Sequence, residues 1–105
     1  MIATQSSSVI IPDALAHLYD EMAISPVHLL KNYAITHIHA SIQKFEVENR
    51  LFQQKYACSF NEFKAKIGMM ENEEHFEWED DFMDWEFVIE NRSYWQKRLH
   101  EVEAQ

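Results

Sequence analysis

Residues 25–56 read SPVHLLKNYAITHIHASIQKFEVENRLFQQKY, and this stretch decides the fold class. Ser25 can cap a helix with its side-chain oxygen, and Pro26 suits the first helical position, where its missing N–H costs nothing. One face of that helix is apolar at Val27, Leu30, Ala34, Ile38, Phe45, Phe52 and Tyr56. The pattern predicts a long helix that ends near Tyr56 and carries one continuous buried stripe.

A short helix is predicted before the long one. Its apolar residues recur at helical spacing, at Leu15, Leu18, Tyr19 and Met22. The pattern breaks at Ala23, so this helix should start at Asp13 and run for about three turns. Upstream of it, Ser8–Ile11 is a candidate short strand, and the polar residues 1–8 predict a flexible N-terminus.

Two further helices are predicted after the long one. Ser59 and Glu62 match a capping box, in which each side chain accepts a hydrogen bond from the other residue's backbone. Gly68 is expected to end this short helix as the residue after its C-cap. The last helix should cover residues 73–103.

Because the chain has one glycine and two prolines, it lacks the turns that many hairpins require. We expect an all-α, mainly helical fold: a single domain over residues 9–105 with two long helices and two short ones.

The charge of the chain is concentrated in one segment. The formal net charge is −9, and residues 71–90 hold ten acidic residues and no lysine or arginine. These are Glu71, Glu73, Glu74, Glu77, Glu79, Asp80, Asp81, Asp84, Glu86 and Glu90. Acidic runs with few aromatic residues are usually disordered, but large apolar residues interrupt this one throughout. An ordered acidic helix is the better interpretation.

The last helix has two apolar faces. The core face carries Trp78, Phe82, Trp85, Val88, Ile89, Leu99 and Val102. The opposite face carries Phe76, Met83, Phe87 and Tyr94, with Glu79, Asp80, Asp84, Glu86 and Glu90 at its edges. Aromatic side chains supply buried area at an interface, and charges steer encounter. The four large side chains, together with the first four of these acids, are therefore the candidate surface for a basic protein partner.

The long helix also carries a weaker second stripe, opposite its main one. The stripe comprises Leu29, Tyr33, Ala40, Val47 and Leu51. A chain of this length has difficulty covering four apolar faces with one core, and monomers rarely expose such patches. A homodimer or higher oligomer, a bound partner, or both would cover the surplus.

Several kinds of chemistry are disfavoured. His37 and His39 point about 160° apart on a helix, so they cannot chelate one ion, and no metal or cofactor site is expected. No strained turn presents a nucleophile beside a base, which argues against an enzyme. The longest apolar runs are far below the ~20 residues that cross a bilayer, so no membrane partner is expected. Cys58 has no internal disulfide partner, which fits a cytoplasmic location.

Several segments together resemble a known family. They are SVIIPDALAHLYDEM, AISPVHLL, KYACSFNEFKAKI and the acidic EEHFEWEDDFMDWEFVIENRSYWQKRL, within residues 9–103. This arrangement is similar to that of the small bacterial and archaeal antitoxin-type proteins encoded beside TumE-type toxins. The resemblance implies a non-enzymatic, mostly helical protein that binds and neutralises a cognate toxin. The acidic aromatic helix would be the natural place for that contact.

The N-terminal part also resembles a ribbon-helix-helix unit, with a short strand, a helix, a turn and a second helix that starts at Ser25. In that family the strand pairs between subunits and reads the major groove. This chain departs from the pattern because it has no lysine or arginine before Lys31, so DNA binding is doubtful. A homodimeric regulator of this kind and a structural helical homo-oligomer are the alternatives to the antitoxin interpretation.

Overall fold

The described part of the chain forms four helices close to the positions that the sequence predicts. The computed structural model describes residues 10–70 and 75–105. Within them lie α1 (Asp13–Glu21), α2 (Pro26–Tyr56), α3 (Phe60–Gly68) and α4 (Phe76–Glu103). The described residues contain no strand. The prediction of an all-α fold with two long and two short helices is confirmed.

Parts of three predictions lie outside the described residues. The segment 1–8, the first half of the candidate strand Ser8–Ile11, and the expected start of the last helix at Glu73 belong to this group. The described half of the candidate strand, Ile10 and Ile11, is not in a strand. For the described chain, α4 begins at Phe76.

Contacts divide the chain into two compact units, both of which include part of α2. The first ends at Tyr33, and the second covers Ala34–Gln105. The single domain over residues 9–105 therefore stays a prediction.

In the first unit, α1 ends where Ala23 adopts a left-handed conformation with φ 54°. Its N–H donates to the carbonyl of Asp20 at 3.1 Å, and the N–H of Ile24 donates to that of Tyr19 at 2.9 Å. This pair of bonds is a Schellman motif.

The role predicted for Gly68 is wrong. Gly68 is the last residue of α3 and has no positive φ, and Met69 follows as a right-handed C-cap with φ −91°. The left-handed positions are instead taken by Ala23 and Ala57, after α1 and α2. A left-handed residue is only one way to end a helix, so a glycine near the end does not show which ending the chain uses.

The buried stripe of α2 is shorter than predicted. Ile38 and Phe45 are buried as expected, but Val27 and Leu30 are well exposed. Both exposed residues belong to the first unit, in which no described residue reaches the buried class. Helical spacing alone identifies an apolar face, and that face is covered only where the chain supplies a packing partner.

The second unit is built around a cluster of aromatic rings. Trp85 of α4 and Phe63 of α3 are fully buried, with ring centroids 5.2 Å apart. Phe52 of α2 stacks on Trp85 at 5.3 Å, and Phe60 meets the same indole edge to face at 5.5 Å. α3 is held by the predicted capping box: the Ser59 side chain accepts from the N–H of Glu62, whose carboxylate accepts from the N–H of Ser59. Three helices thus share one core.

A buried hydrogen bond fixes the register of α2 against α4. The Trp85 indole N–H donates to the Asn49 side-chain oxygen at 2.7 Å, and Asn49 is the one polar residue among the buried residues described. His37 contacts Trp95 near one end of the pair, and Tyr56 contacts Trp78 near the other. Residue numbers rise along α2 as they fall along α4, so the two helices are antiparallel.

Candidate partner-binding surface

Four large side chains of α4 are exposed along one side of the helix, as the spacing predicts. Phe76 is 69% exposed, Met83 67%, Phe87 58% and Tyr94 48%. We call these four residues the outer stripe. It spans 18 residue steps, or about 27 Å at 1.5 Å per residue. An apolar stripe of this length on one helix is typical of a surface that another molecule covers.

The carboxylates beside the outer stripe divide into two groups. Glu79, Asp80 and Asp84 are exposed and Glu86 is partly buried. None of these four forms an ion pair with another residue that the structure describes. Glu77 and Asp81, in contrast, bind Lys55 of α2 at 2.8 and 2.6 Å. Among the described acidic residues of segment 71–90, the four predicted for the site and the exposed Glu90 are therefore available to a partner.

Lys55, Tyr56 and Asp81 form a cluster that joins α2 to α4. The Tyr56 hydroxyl donates to the same Asp81 oxygen that Lys55 contacts. Burial, reinforced by this hydrogen bond, raises the pKa of Tyr56 to about 12. Burial alone would raise the pKa of Asp81, but the hydrogen bonds from Lys55 and Tyr56 outweigh it and hold that pKa below its ordinary value. Asp81 thus stays ionised at neutral pH. Its carboxylate binds Lys55 and Tyr56 within the fold.

The C-terminal end of the outer stripe differs from the rest. The Arg98 guanidinium lies over the Tyr94 ring at 4.8 Å and pairs with Glu101 at 2.8 Å. A cation on the face of Tyr94 would repel a basic partner at that point. Phe76, Met83 and Phe87 are therefore better placed than Tyr94 to contact such a partner.

Phe87 of the outer stripe and Leu51 of the second stripe both line an open groove of about 460 Å³ between α4 and α2. Its lining residues are Glu48, Leu51, Phe52, Lys55, Asp84, Phe87 and Val88. We call it the α2/α4 groove. Phe87 forms part of one wall. Its ring also makes a T-shaped contact with the buried Phe45 ring, with 6.1 Å between the centroids, so the position of Phe87 is partly fixed.

Leu51 and Glu48 were not predicted as site residues. Leu51 was recognised on the second stripe of α2, and it is 59% exposed. Its place in the same groove as Phe87 follows from the antiparallel register, which no local pattern encodes. One signal for that register is present in the sequence: Asn49 is a polar residue in the apolar repeat Phe45, Asn49, Phe52, and such a residue often sets the register between paired helices.

Other candidate chemistry gains no support from the geometry. No group of three or more histidine, cysteine, aspartate or glutamate side chains could hold a metal ion in the residues that the structure describes. Cys58 is partly buried and forms no disulfide with the described chain. The His37 ring packs edge-on against Trp95 at 5.9 Å, which gives it a packing role.

Comparison with known protein families, curated proteins and solved structures finds no match to this chain. Within residues 10–70 and 75–105, no helix combines the length and the apolar character that crossing a bilayer requires.

Proposed function

We propose that this chain is a non-enzymatic, antitoxin-type protein that binds and neutralises a basic partner protein through α4. One observation carries the proposal: Phe76, Met83 and Phe87 protrude from one side of α4 beside acidic side chains that pair with no other described residue. A basic protein would bury the rings and neutralise the carboxylates in the same contact.

The apolar and charged parts of this surface have different roles in the proposal. Met83 and Phe87 supply area removed from water, at about 25 cal/mol per Å², and so govern how long a complex lasts. Asp80 and Asp84 act mainly on the rate of encounter, because exposed charges attract over distance and are screened by salt.

The test uses the basic protein encoded beside the gene for this chain. We expect the two to co-purify, and we expect this chain to restore growth to cells that the neighbouring protein arrests. The double variant Met83→Ala with Phe87→Ala should bind at least about tenfold more weakly, which is 1.4 kcal/mol. Calorimetry on the purified pair measures the change, and circular dichroism checks that the variant is folded.

The matched control for this experiment is Met69→Ala. Met69 follows α3, is not a member of the outer stripe, and is 83% exposed. This variant should bind as the original chain does.

Raising sodium chloride from about 0.05 to about 0.5 M should slow association and leave dissociation nearly unchanged. An unchanged affinity in the double variant, or the lack of a basic neighbour that binds, would contradict the proposal.

A second candidate function, a structural homo-oligomer, is favoured by the first unit. None of the residues of α1 is buried, and Leu15, Leu18, Met22, Leu29 and Leu30 are all exposed. A unit of this size cannot hold its helices without a core. The region 10–33 carries few charges, so two copies could approach with little repulsion.

Light scattering tests this candidate. We expect a particle of twice the chain mass of 12.6 kDa. Leu18→Glu should reduce the particle to a single chain, because a carboxylate would be buried in the interface. His17→Glu, an exposed neighbour on another side of α1, should not change the mass. A single-chain particle from the original protein would exclude the homo-oligomer.

A further inference from the structure

The walls of the α2/α4 groove have the spacing that accepts another helix. On α2 the lining residues Glu48, Leu51 and Lys55 follow at intervals of three and four, and on α4 Asp84 and Phe87 follow at three. Side chains at these intervals form ridges, and helices pack ridge into groove. The α2 wall covers seven residue steps, or about 10 Å, which is two helical turns.

The same helix pair already holds a third helix. α3 inserts Phe63 between Tyr56 and Trp85, and Phe60 against Phe82 and Trp85. Of the described residues, those that line the α2/α4 groove come from α2 and α4 alone, with none from α3. The pair α2 and α4 thus already packs against one helix, α3. The α2/α4 groove offers a second position where a helix could pack.

The charges around the groove select the chemistry of that helix. Glu48 and Asp84 line the groove, and neither forms an ion pair with another described residue. Lys55 is the basic residue of the lining, and Glu77 and Asp81 together exceed its charge. The lining therefore combines apolar side chains with carboxylates that pair with no other described residue, which complements lysine or arginine beside leucine-like residues.

A second copy of this chain is a poor occupant by the same criterion. Its exposed helix α1 has apolar residues at helical spacing, but its charged residues are Asp13, Asp20 and Glu21, and it has no lysine or arginine. Placing these carboxylates beside Glu48 and Asp84 would bring like charges together, which disfavours the contact.

We infer that the α2/α4 groove binds one amphipathic helix of the basic partner, with apolar residues against Leu51 and Phe87 and lysine or arginine side chains toward Glu48 and Asp84. The inference rests on the proposed function and deepens it, since it adds α2 to the site and specifies a helical segment of the partner. Leu51 then contributes to binding together with Phe87 of α4.

The first experiment uses two labelled synthetic peptides and the full chain. Each peptide has about 20 residues, long enough to form a helix in water, with leucine at helical spacing and alanine elsewhere. One carries lysine at the flanking positions, and its twin carries glutamate there. By fluorescence anisotropy at low salt, the lysine peptide should bind at least about tenfold more tightly than the glutamate twin. Equal binding of the two peptides, or no binding of the lysine peptide, would overturn the inference.

Variants of the chain locate the binding. Leu51→Ala should weaken the binding of the lysine peptide at least about fivefold, because apolar area of the groove is lost. Glu48→Gln should reduce the chain's preference for the lysine peptide over the glutamate peptide. Met69→Ala, at a more exposed side chain that does not line the groove, should change neither value. A Leu51→Ala variant that binds unchanged would show that the peptide contacts another surface.

A final measurement separates this inference from the proposed function. Leu51→Ala is compared with the Met83→Ala, Phe87→Ala double variant in binding the neighbouring basic protein. Weaker binding by both variants supports both proposals. If only the double variant is weakened, the partner binds α4 without entering the groove, and the inference fails while the function stands. If neither is weakened, both fail.

Discussion

Replacing Trp85 by alanine will lower the free energy of unfolding by about 3 to 5 kcal/mol. The indole is fully buried and contacts rings of the other two helices of the second unit: Phe52 of α2, and Phe60 and Phe63 of α3. Its removal leaves a cavity that those rings cannot all fill, and it leaves the Asn49 oxygen without its donor. Urea denaturation followed by circular dichroism measures the change.

Two further variants separate the causes of that loss. Trp85→Phe keeps most of the ring but removes the N–H that Asn49 accepts, so it should cost about 1 to 3 kcal/mol. Phe87→Ala, two residues away on the same helix but exposed, should cost less than about 1 kcal/mol. A Phe87→Ala loss as large as that of Trp85→Ala would show that Phe87 is part of the core and would remove it from the candidate surface.

Asp81→Asn will cost about 2 kcal/mol at pH 7. The carboxylate accepts hydrogen bonds from Tyr56, which is partly buried, and from Lys55. A hydrogen bond to a charged group contributes about 1.5 to 3 kcal/mol. Most of the loss is assigned to Tyr56, because the Lys55 side chain is half exposed and its ion pair is screened by solvent. The pKa of Tyr56 should fall from about 12 in this variant, which absorbance in the near ultraviolet reports.

The cost of Asp81→Asn should depend on pH in a defined direction. The fold lowers the pKa of Asp81, so the stabilisation is complete above the ordinary carboxyl pKa of about 4. It is lost as the pH falls through the lowered pKa of the folded state. The stability difference between the two proteins should therefore be largest near pH 7 and shrink below about pH 4. Asp80→Asn, at an exposed position without an ion pair among the described residues, should show almost no difference at either pH. A constant Asp81→Asn difference from pH 7 down to pH 3 would contradict this account.

Features that depend on neighbouring residues were predicted well. The start of α2 at Pro26, its end at Tyr56, and the capping box of Ser59 and Glu62 all match the structure. A cap forms between residues at most four apart, so its donors and acceptors can be read directly from the chain. The exposure of Phe76, Met83 and Phe87 also follows from spacing, since side chains on one helix keep their relative directions.

Features that depend on packing were predicted incompletely. Val27 and Leu30 continue the apolar face of α2, but no described residue of the first unit is buried, and both remain exposed. Asn49 interrupts an apolar repeat, and only a partner such as the Trp85 indole makes its burial favourable. Gly68 shows that a residue able to adopt a left-handed conformation does not always do so.

The sequence by itself determined that this chain is helical, where its long helix α2 begins and ends, and that a later segment carries large apolar residues among ten clustered acidic residues. These properties arise within a few residues of chain. Only the tertiary structure decided which of those acids are available and what lies near the apolar residues: Lys55 binds Glu77 and Asp81, and Leu51 lines the same groove as Phe87. These residues are more than 20 positions apart and meet only because the Trp85 and Asn49 contact sets the antiparallel register of α2 and α4.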